Sequence, residues 1–149
     1  GQALLGTYPQ SDFEFQKGDV RDADTVDRAL EDREAVVHLA AIVGDPACAR
    51  EPELAQETNF EATMQLFDMS RRHGIQRFVT ASTCSNYGRQ QDPDKFVNEE
   101  AELLPISLYA ETKVAVERSL LDLSGGDNPN GGLVASEEVP VYAVLDPVF

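Results

Sequence analysis

The 149-residue chain predicts a doubly wound α/β fold, a mostly parallel sheet with helices on both faces, and three observations carry that prediction. The run from Ala35 to Ala41 is almost continuously apolar, as a strand covered by helices on both sides requires. Arg77-Phe78-Val79-Thr80-Ala81 is a second short β-type run, and it leads directly into the hydroxyl-rich Ser82-Thr83-Cys84-Ser85. Open α/β sheets place their chemistry just outside such carboxyl ends. Between and after these runs lie segments of helical period, an alternation that parallel strands need for their crossovers.

Taken in order, Leu4-Leu5 and Tyr8-Pro9-Gln10-Ser11-Asp12 read as a loop or one helical turn. Phe13 to Lys17 alternates apolar and polar, predicting a half-buried strand that Gly18 ends, with Asp19 at its carboxyl end as a turn or capping carboxylate. Asp22 caps a helix running through Asp32, on which Val26, Ala29 and Leu30 form one apolar stripe. His38, inside the Ala35 to Ala41 strand, reads as a satisfied interior residue and receives no chemical role. Ile42 to Glu51 reads as a loop. Pro52 then opens a long helix whose inward stripe is Ala55, Asn59, Ala62, Leu66 and Met69, with Arg71, Arg72 and His73 in its last turn and Gly74 as its stop. Gly88 to Pro105 is polar and without period, a surface connector or a flap. Leu108 to Leu123 predicts a helix presenting Tyr109, Thr112, Lys113, Val116, Leu120 and Leu123 on one face. Ser124 to Gly132 is a linker by composition, and Val139 to Leu145 is compatible with a last strand despite Pro140.

Hydrophobic residues make up 42% of the chain, enough for a core in one domain. The formal charge of -15, with Lys17, Lys95 and Lys113 the only lysines, excludes a phosphate-backbone binder and predicts no nucleic-acid partner. Diffuse acidity of this kind suits a protein kept soluble at high salt. No apolar run reaches membrane length and no leader pattern opens the chain, so the expectation is a cytoplasmic protein with no membrane partner. Cys48 and Cys84 have no metal-ligand spacing and predict neither a disulfide framework nor a metal site.

The candidate chemistry lies in Tyr109 and Lys113, one helical turn apart and on the same side. An ammonium beside a phenol favours the phenolate, drawing a pKa of about 10 toward working pH and making Tyr109 a candidate general acid/base. Thr83, just past the strand tip, supplies a hydroxyl that completes such a site. A Tyr-x-x-x-Lys spacing alone is common on helices. It gains weight here from the strand tip and hydroxyl cluster that precede it.

These residues resemble the extended short-chain dehydrogenase/reductase superfamily, in particular its NAD-dependent epimerase/dehydratase family acting on nucleotide sugars. Ser82-Thr83-Cys84-Ser85-Asn86-Tyr87-Gly88 is similar to that family's Ser-Ser/Thr-x-x-x-Tyr-Gly element, and Tyr109 with Lys113 to its catalytic pair. Gly18-Asp19-Val20-Arg21-Asp22 is similar to its adenine-contacting turn, and Val36-Val37-His38-Leu39-Ala40-Ala41 to its strand and cofactor-side loop. The resemblance implies a Rossmann-like sheet, catalytic Tyr109, Lys113 and Thr83, and a cofactor surface of Asp19, Val20, Leu39, Ala40, Ala41, Asn59, Ser82, Tyr109 and Lys113. It gives Asn59 the further task of bracing the site through backbone hydrogen bonds, against the plainer reading of a buried Asn with a local partner. The implied cofactor is NAD, with NADP open, the substrate a nucleotide sugar, and the complete protein a homodimer.

The same resemblance sets what to look for and not find. No Gly-rich strand-turn-helix that would seat a pyrophosphate occurs in the sequence. The expectation is therefore an incomplete fold lacking the first two strands, the Gly-rich loop and the substrate domain. Residues 1–123 would form a partial nucleotide-binding domain, and 124–149 a linker and divergent tail. An Asp-Glu pair or a Glu directly after the catalytic Thr would mark dehydratase or decarboxylating branches, and Cys84-Ser85 stands there instead. An epimerase, inactive as this fragment, is the first expectation. A sugar-nucleotide reductase or dehydrogenase, or a non-catalytic interaction fragment, are the alternatives.

Overall fold

The computed structural model describes residues 13–88 and 101–123, and the backbone of 141–144. Three parallel strands, β1 (Ala35–His38), β2 (Arg77–Ala81) and β3 (Val141–Val144), form one sheet in the order β1-β2-β3. The register runs from Ala35 against Arg77 to His38 against Thr80, and from Phe78 against Val141 to Ala81 against Val144. Parallel neighbours cannot be joined by a hairpin, so helices carry the crossovers.

The first helix, α1 (Ala23–Leu30), begins where the Asp22 side chain accepts from the Asp24 amide at 3.1 Å and the Thr25 hydroxyl at 2.6 Å. Those bonds hold the Asp22 carboxyl below its ordinary range, the Thr25 hydroxyl most of all. Between β1 and β2 run α2 (Asp45–Arg50), α3 (Pro52–Gln56), a π turn (Glu57–Glu61) and α4 (Ala62–Arg72). After β2 come a 3-10 turn (Cys84–Tyr87) and α5 (Leu108–Leu123). Val26 and Leu30 of α1, Leu66, Phe67 and Met69 of α4, and Val116 and Leu120 of α5 close over Phe78 and Ile75. Phe67 meets Phe78 edge-on with ring centroids 5.2 Å apart, an arrangement that suits the ring quadrupoles.

Four expectations are corrected. Phe13 to Lys17 is not assigned to a strand among the described residues, and Phe15 is 58% exposed. Alternation marks one apolar face but does not decide whether another element covers it. The segment read as a loop from Ile42 to Glu51 contains α2, started by Gly44 at φ 88 and Pro46 in the first turn. Six residues are too few to show a period. The single long helix after Pro52 is interrupted by the π turn, with buried Asn59 at its centre. Burial of β1 on both faces is met on one: Val36 and His38 turn toward the helices, while Val37 is 65% exposed. The last strand forms as β3, and the linker at 124–132 and residues 89–100 lie outside the described residues.

Candidate functional site

At the carboxyl end of β2 the chain turns through Ser82 and Thr83, both buried. Thr83 is extended (φ -150, ψ 143) and caps the 3-10 turn, its hydroxyl oxygen accepting from the Ser85 amide at 3.2 Å. Gly88 ends that turn at φ 62, and a Cβ there would collide with the Leu104 carbonyl. The Leu104 amide in turn donates to the Asn86 carbonyl at 2.8 Å. The strand tip is thus fastened to the segment that leads into α5.

That helix opens with the Ser107 hydroxyl accepting from the Ala110 amide at 3.3 Å. Tyr109, Thr112, Lys113, Val116 and Leu120 fall on its buried side, as their spacing predicts, whereas Leu123, placed on the same face by that spacing, is 51% exposed at the helix end. Lys113 Nζ donates to the Ala81 carbonyl at 3.0 Å and lies 6.0 Å from the centroid of the Tyr109 ring. The last carbonyl of β2 therefore holds the ammonium beside the phenol's ring. The ring itself packs with Cys48 of α2, Ala55 of α3, Ile42 and Leu108. Burial pushes the Cys48 thiol up, so it stays protonated there.

Asn59 is committed to the loop that follows β1. Its Oδ1 accepts from the Ile42 amide at 2.8 Å and its Nδ2 donates to the Ile42 carbonyl at 3.0 Å, with Thr112 Oγ1 at 3.5 Å. Both bonds run to the backbone of Ile42. A π turn is a common device where a helix must aim one residue into a site, and here the residue at its centre is Asn59. Thr63, one turn on, gives its hydroxyl proton to the Asn59 carbonyl at 2.9 Å and lies 2.8 Å from His38 Nε2. With that proton given away, the hydroxyl can only accept from His38, which assigns the imidazole hydrogen to Nε2. Burial, and then the charge of Lys113, lower the His38 pKa to about 4, so the ring is neutral and structural.

The structure therefore gathers Ser82, Thr83, Tyr109 and Lys113 at one strand tip, with Asn59 bracing the neighbouring loop. Leu39 and Ala40 follow β1 as exposed residues and Ala41 is half-buried. Asp19 belongs to a separate cluster. Its carboxylate accepts from the Arg21 backbone at 2.9 Å and from Arg21 Nη2 at 2.7 Å, which holds its pKa down to about 2. Arg21 also reaches Glu57 at 3.3 Å, tying that turn to the π turn, and Val20 packs half-buried against the core. Sequence reasoning gave no role to Asn86, a buried amide whose Nδ2 donates to Ser82 Oγ at 3.0 Å; its place in the polar run directly after β2 was the available signal. Among the described residues no three His, Cys, Asp or Glu side chains are grouped to hold a metal ion. No helix among them is long and apolar enough to cross a membrane.

A partial Rossmann-like parallel sheet with a Tyr-Lys pair and a threonine hydroxyl at one strand's carboxyl end defines the short-chain dehydrogenase/reductase class. Within that class, the chain belongs to the NAD dependent epimerase/dehydratase family, whose model matches residues 3–128. A UDP-glucose 4-epimerase of Rhizobium leguminosarum bv. trifolii is 32% identical over 109 residues, covering 72% of this chain and 33% of the relative. A UDP-N-acetylglucosamine 4-epimerase from Methanobrevibacter ruminantium M1, solved with UDP-N-acetylmuramic acid, superimposes with TM-score 0.78 at 25% identity over 96% of this chain and 42% of that one. A Thermus thermophilus UDP-glucose 4-epimerase solved with NAD gives TM-score 0.72 at 26% identity, over 78% of this chain and 38% of that one. The chain spans about a third of the length of the curated relatives it matches.

Proposed function

We propose that this chain carries the acid/base corner of a nucleotide-sugar epimerase, with Tyr109 as the group that exchanges a proton with a sugar hydroxyl. The observation that carries the reading is the buried Lys113 ammonium, anchored on the Ala81 carbonyl and set beside the Tyr109 ring at a parallel strand's carboxyl end. Its charge favours the phenolate, so Tyr109 can take the hydroxyl proton as the sugar carbon is oxidised and return it after reduction. Thr83 accepts from Ser85 through one lone pair, which leaves its own hydroxyl proton for the sugar oxygen. The position after Thr83 is the exposed Cys84, with no carboxylate to expel a hydroxyl as water, which favours epimerisation over dehydration.

The residues present fit the two ends of a dinucleotide. Asp19 keeps acceptor capacity beyond its bonds to Arg21, since a carboxylate offers about four lone-pair sites, and could take an adenine amino hydrogen beside Val20. Ser82, Tyr109 and Lys113, with Leu39, Ala40 and Ala41 opposite, would hold the nicotinamide ribose end. NAD, or NADP in the same place, supplies the hydride acceptor when bound. The sequence contains no Gly-rich pyrophosphate seat, so the 149-residue chain alone is expected to bind the dinucleotide weakly and turn over nothing.

Turnover of the completed gene product on a panel of nucleotide sugars tests this reading, with Tyr109→Phe expected to lower kcat by at least about 100-fold. Undiminished turnover by that variant would refute it. Saturation of the 149-residue chain by NAD at micromolar concentration would refute the divided binding site. The same reading puts the complete protein in the cytoplasm as a homodimer joined through the helices carrying Asn59 and Tyr109. A monomer mass in light scattering would remove the dimer.

A further inference from the structure

Asn59 can hold Ile42 in one place only if the π turn that carries it is itself held. Within that turn the Ala62 amide bonds the Glu57 carbonyl, five residues back where an α-helix would use four, so its backbone lies off the ordinary helical register. One side chain spans the displaced stretch. Thr63 Oγ1 donates to the Asn59 carbonyl at 2.9 Å, and His38 Nε2 donates to Thr63 Oγ1 at 2.8 Å. The Asn59 side chain then closes on the amide and the carbonyl of Ile42 at 2.8 and 3.0 Å, and Cys48 Sγ adds a contact to the same carbonyl at 3.3 Å. The bonds therefore leave β1 at His38, pass through Thr63 and Asn59, and return at Ile42 to the loop that follows the same strand. Ile42 packs on the cluster that contains the Tyr109 ring.

A buried threonine that bonds the carbonyl four residues earlier is an ordinary way to satisfy a hydroxyl within a helix. Two features set Thr63 apart. Its oxygen also takes a hydrogen from a side chain on a strand, and the carbonyl it holds belongs to the residue that fixes the loop. His38, Thr63 and Asn59 are 6%, 2% and 2% exposed, so bulk water does not replace a bond that is lost.

We propose that Thr63 is a positioning residue: anchored to His38 on β1, it fixes the π turn so that Asn59 holds Ile42 against the Tyr109 ring, and the phenol keeps one place beside Lys113. This rests on the acid/base reading of Tyr109. A reacting group displaced by about an ångström loses on the order of 100-fold in rate, so a hydroxyl that touches no reacting atom still bears on turnover.

Thr63→Val keeps the shape and removes the hydroxyl, Thr63→Ser keeps the hydroxyl, and Leu66→Ala, one turn along α4 in the core, is a control that destabilises without touching the chain of bonds. In the 149-residue chain, the Ile42 amide should exchange with solvent about 10-fold faster in Thr63→Val than in Leu66→Ala, while the β1–β2 ladder responds alike in both. In the completed gene product, assayed well below the thermal midpoint of each variant, Thr63→Val should lower kcat by about 10- to 100-fold with KM for the nucleotide sugar nearly constant, Thr63→Ser should restore it, and Leu66→Ala should leave it unchanged. Ile42 exchange that rises equally in Thr63→Val and Leu66→Ala, equal kcat in those two, or no recovery in Thr63→Ser would show a merely structural residue and overturn the proposal. If Thr63→Val does not fold, His38→Leu, which removes the anchoring donor, is read by the same measures. Failure of both to fold would make the hydroxyl a requirement of folding, and the proposal would fall. Tyr109→Phe in the same preparation separates the two failures: an active Tyr109→Phe sinks the acid/base reading, whereas an inactive Tyr109→Phe beside a fully active Thr63→Val sinks only the role of Thr63.

Discussion

Acidification should unlatch β1 from α4 through one residue, His38. Its ordinary pKa of 6.5 is lowered to about 4 in the fold, by burial first and by the Lys113 charge second. The unfolded chain therefore binds that proton more tightly than the folded one. The contribution to stability is complete above the unfolded pKa of 6.5 and is lost as pH falls toward about 4. At about pH 4.5 the unfolded imidazole is almost wholly protonated and the folded one mostly neutral, a difference worth on the order of 2–3 kcal/mol. Carboxylates titrate in the same range, so a single unfolding curve cannot isolate the effect. Urea unfolding of the 149-residue chain and of its His38→Leu variant, each at about pH 7.5 and 4.5, cancels the shared carboxylates. The wild type should lose about 2–3 kcal/mol more than the variant over that interval. Equal losses, or a larger loss in the variant, would mean that His38 does not stay neutral behind Thr63, and the assigned Nε2 hydrogen would fall with it.

Other outcomes follow from the same contacts. Asn59→Leu leaves both the amide and the carbonyl of Ile42 without their partner, and should lower stability by about 2–5 kcal/mol in urea unfolding, against an isosteric loss near zero if the brace is idle. Gly88→Ala puts a side chain at φ 62 and against the Leu104 carbonyl; a loss of at least about 2 kcal/mol is expected, and a neutral result would refute the close approach. With a formal charge of -15, the thermal midpoint should rise between low and multimolar potassium chloride, and a flat or falling midpoint would count against adaptation to high salt.

What could be read from the sequence was whatever one element decides by itself. Asp22 and its helix follow from a capping carboxylate and an apolar stripe, and α5 placed Tyr109 and Lys113 together because helical spacing alone does so. What depends on a second element was hidden. Phe15 alternates like a strand residue, yet it is 58% exposed. Val37 looked like an interior residue, but whether a β-strand's second face is covered is decided by other segments. The π turn escaped because one extra residue in a helical turn hardly disturbs an apolar period, while it changes where Asn59 points.

The contacts that hold the site explain why a three-stranded sheet can carry it. Among the described residues the loops after β1 and β2 are each fixed by a polar side chain from a helical segment: Ile42 after β1 by Asn59, and the end of β2 by Lys113 on Ala81. Such side-chain bonds to backbone set a loop's position without any help from the width of the sheet. The proposed acid/base corner is held by contacts from the crossover helices, apart from the exposed flank of Val37 and Leu39. Binding and chemistry are then separable by experiment. Loss of Asn59 should disturb the corner in the 149-residue chain with no dinucleotide present, because its bonds to Ile42 are made within the chain. If that variant altered exchange or stability only after NAD was added, the corner would be assembled by the cofactor, and the helices would have no claim to hold it.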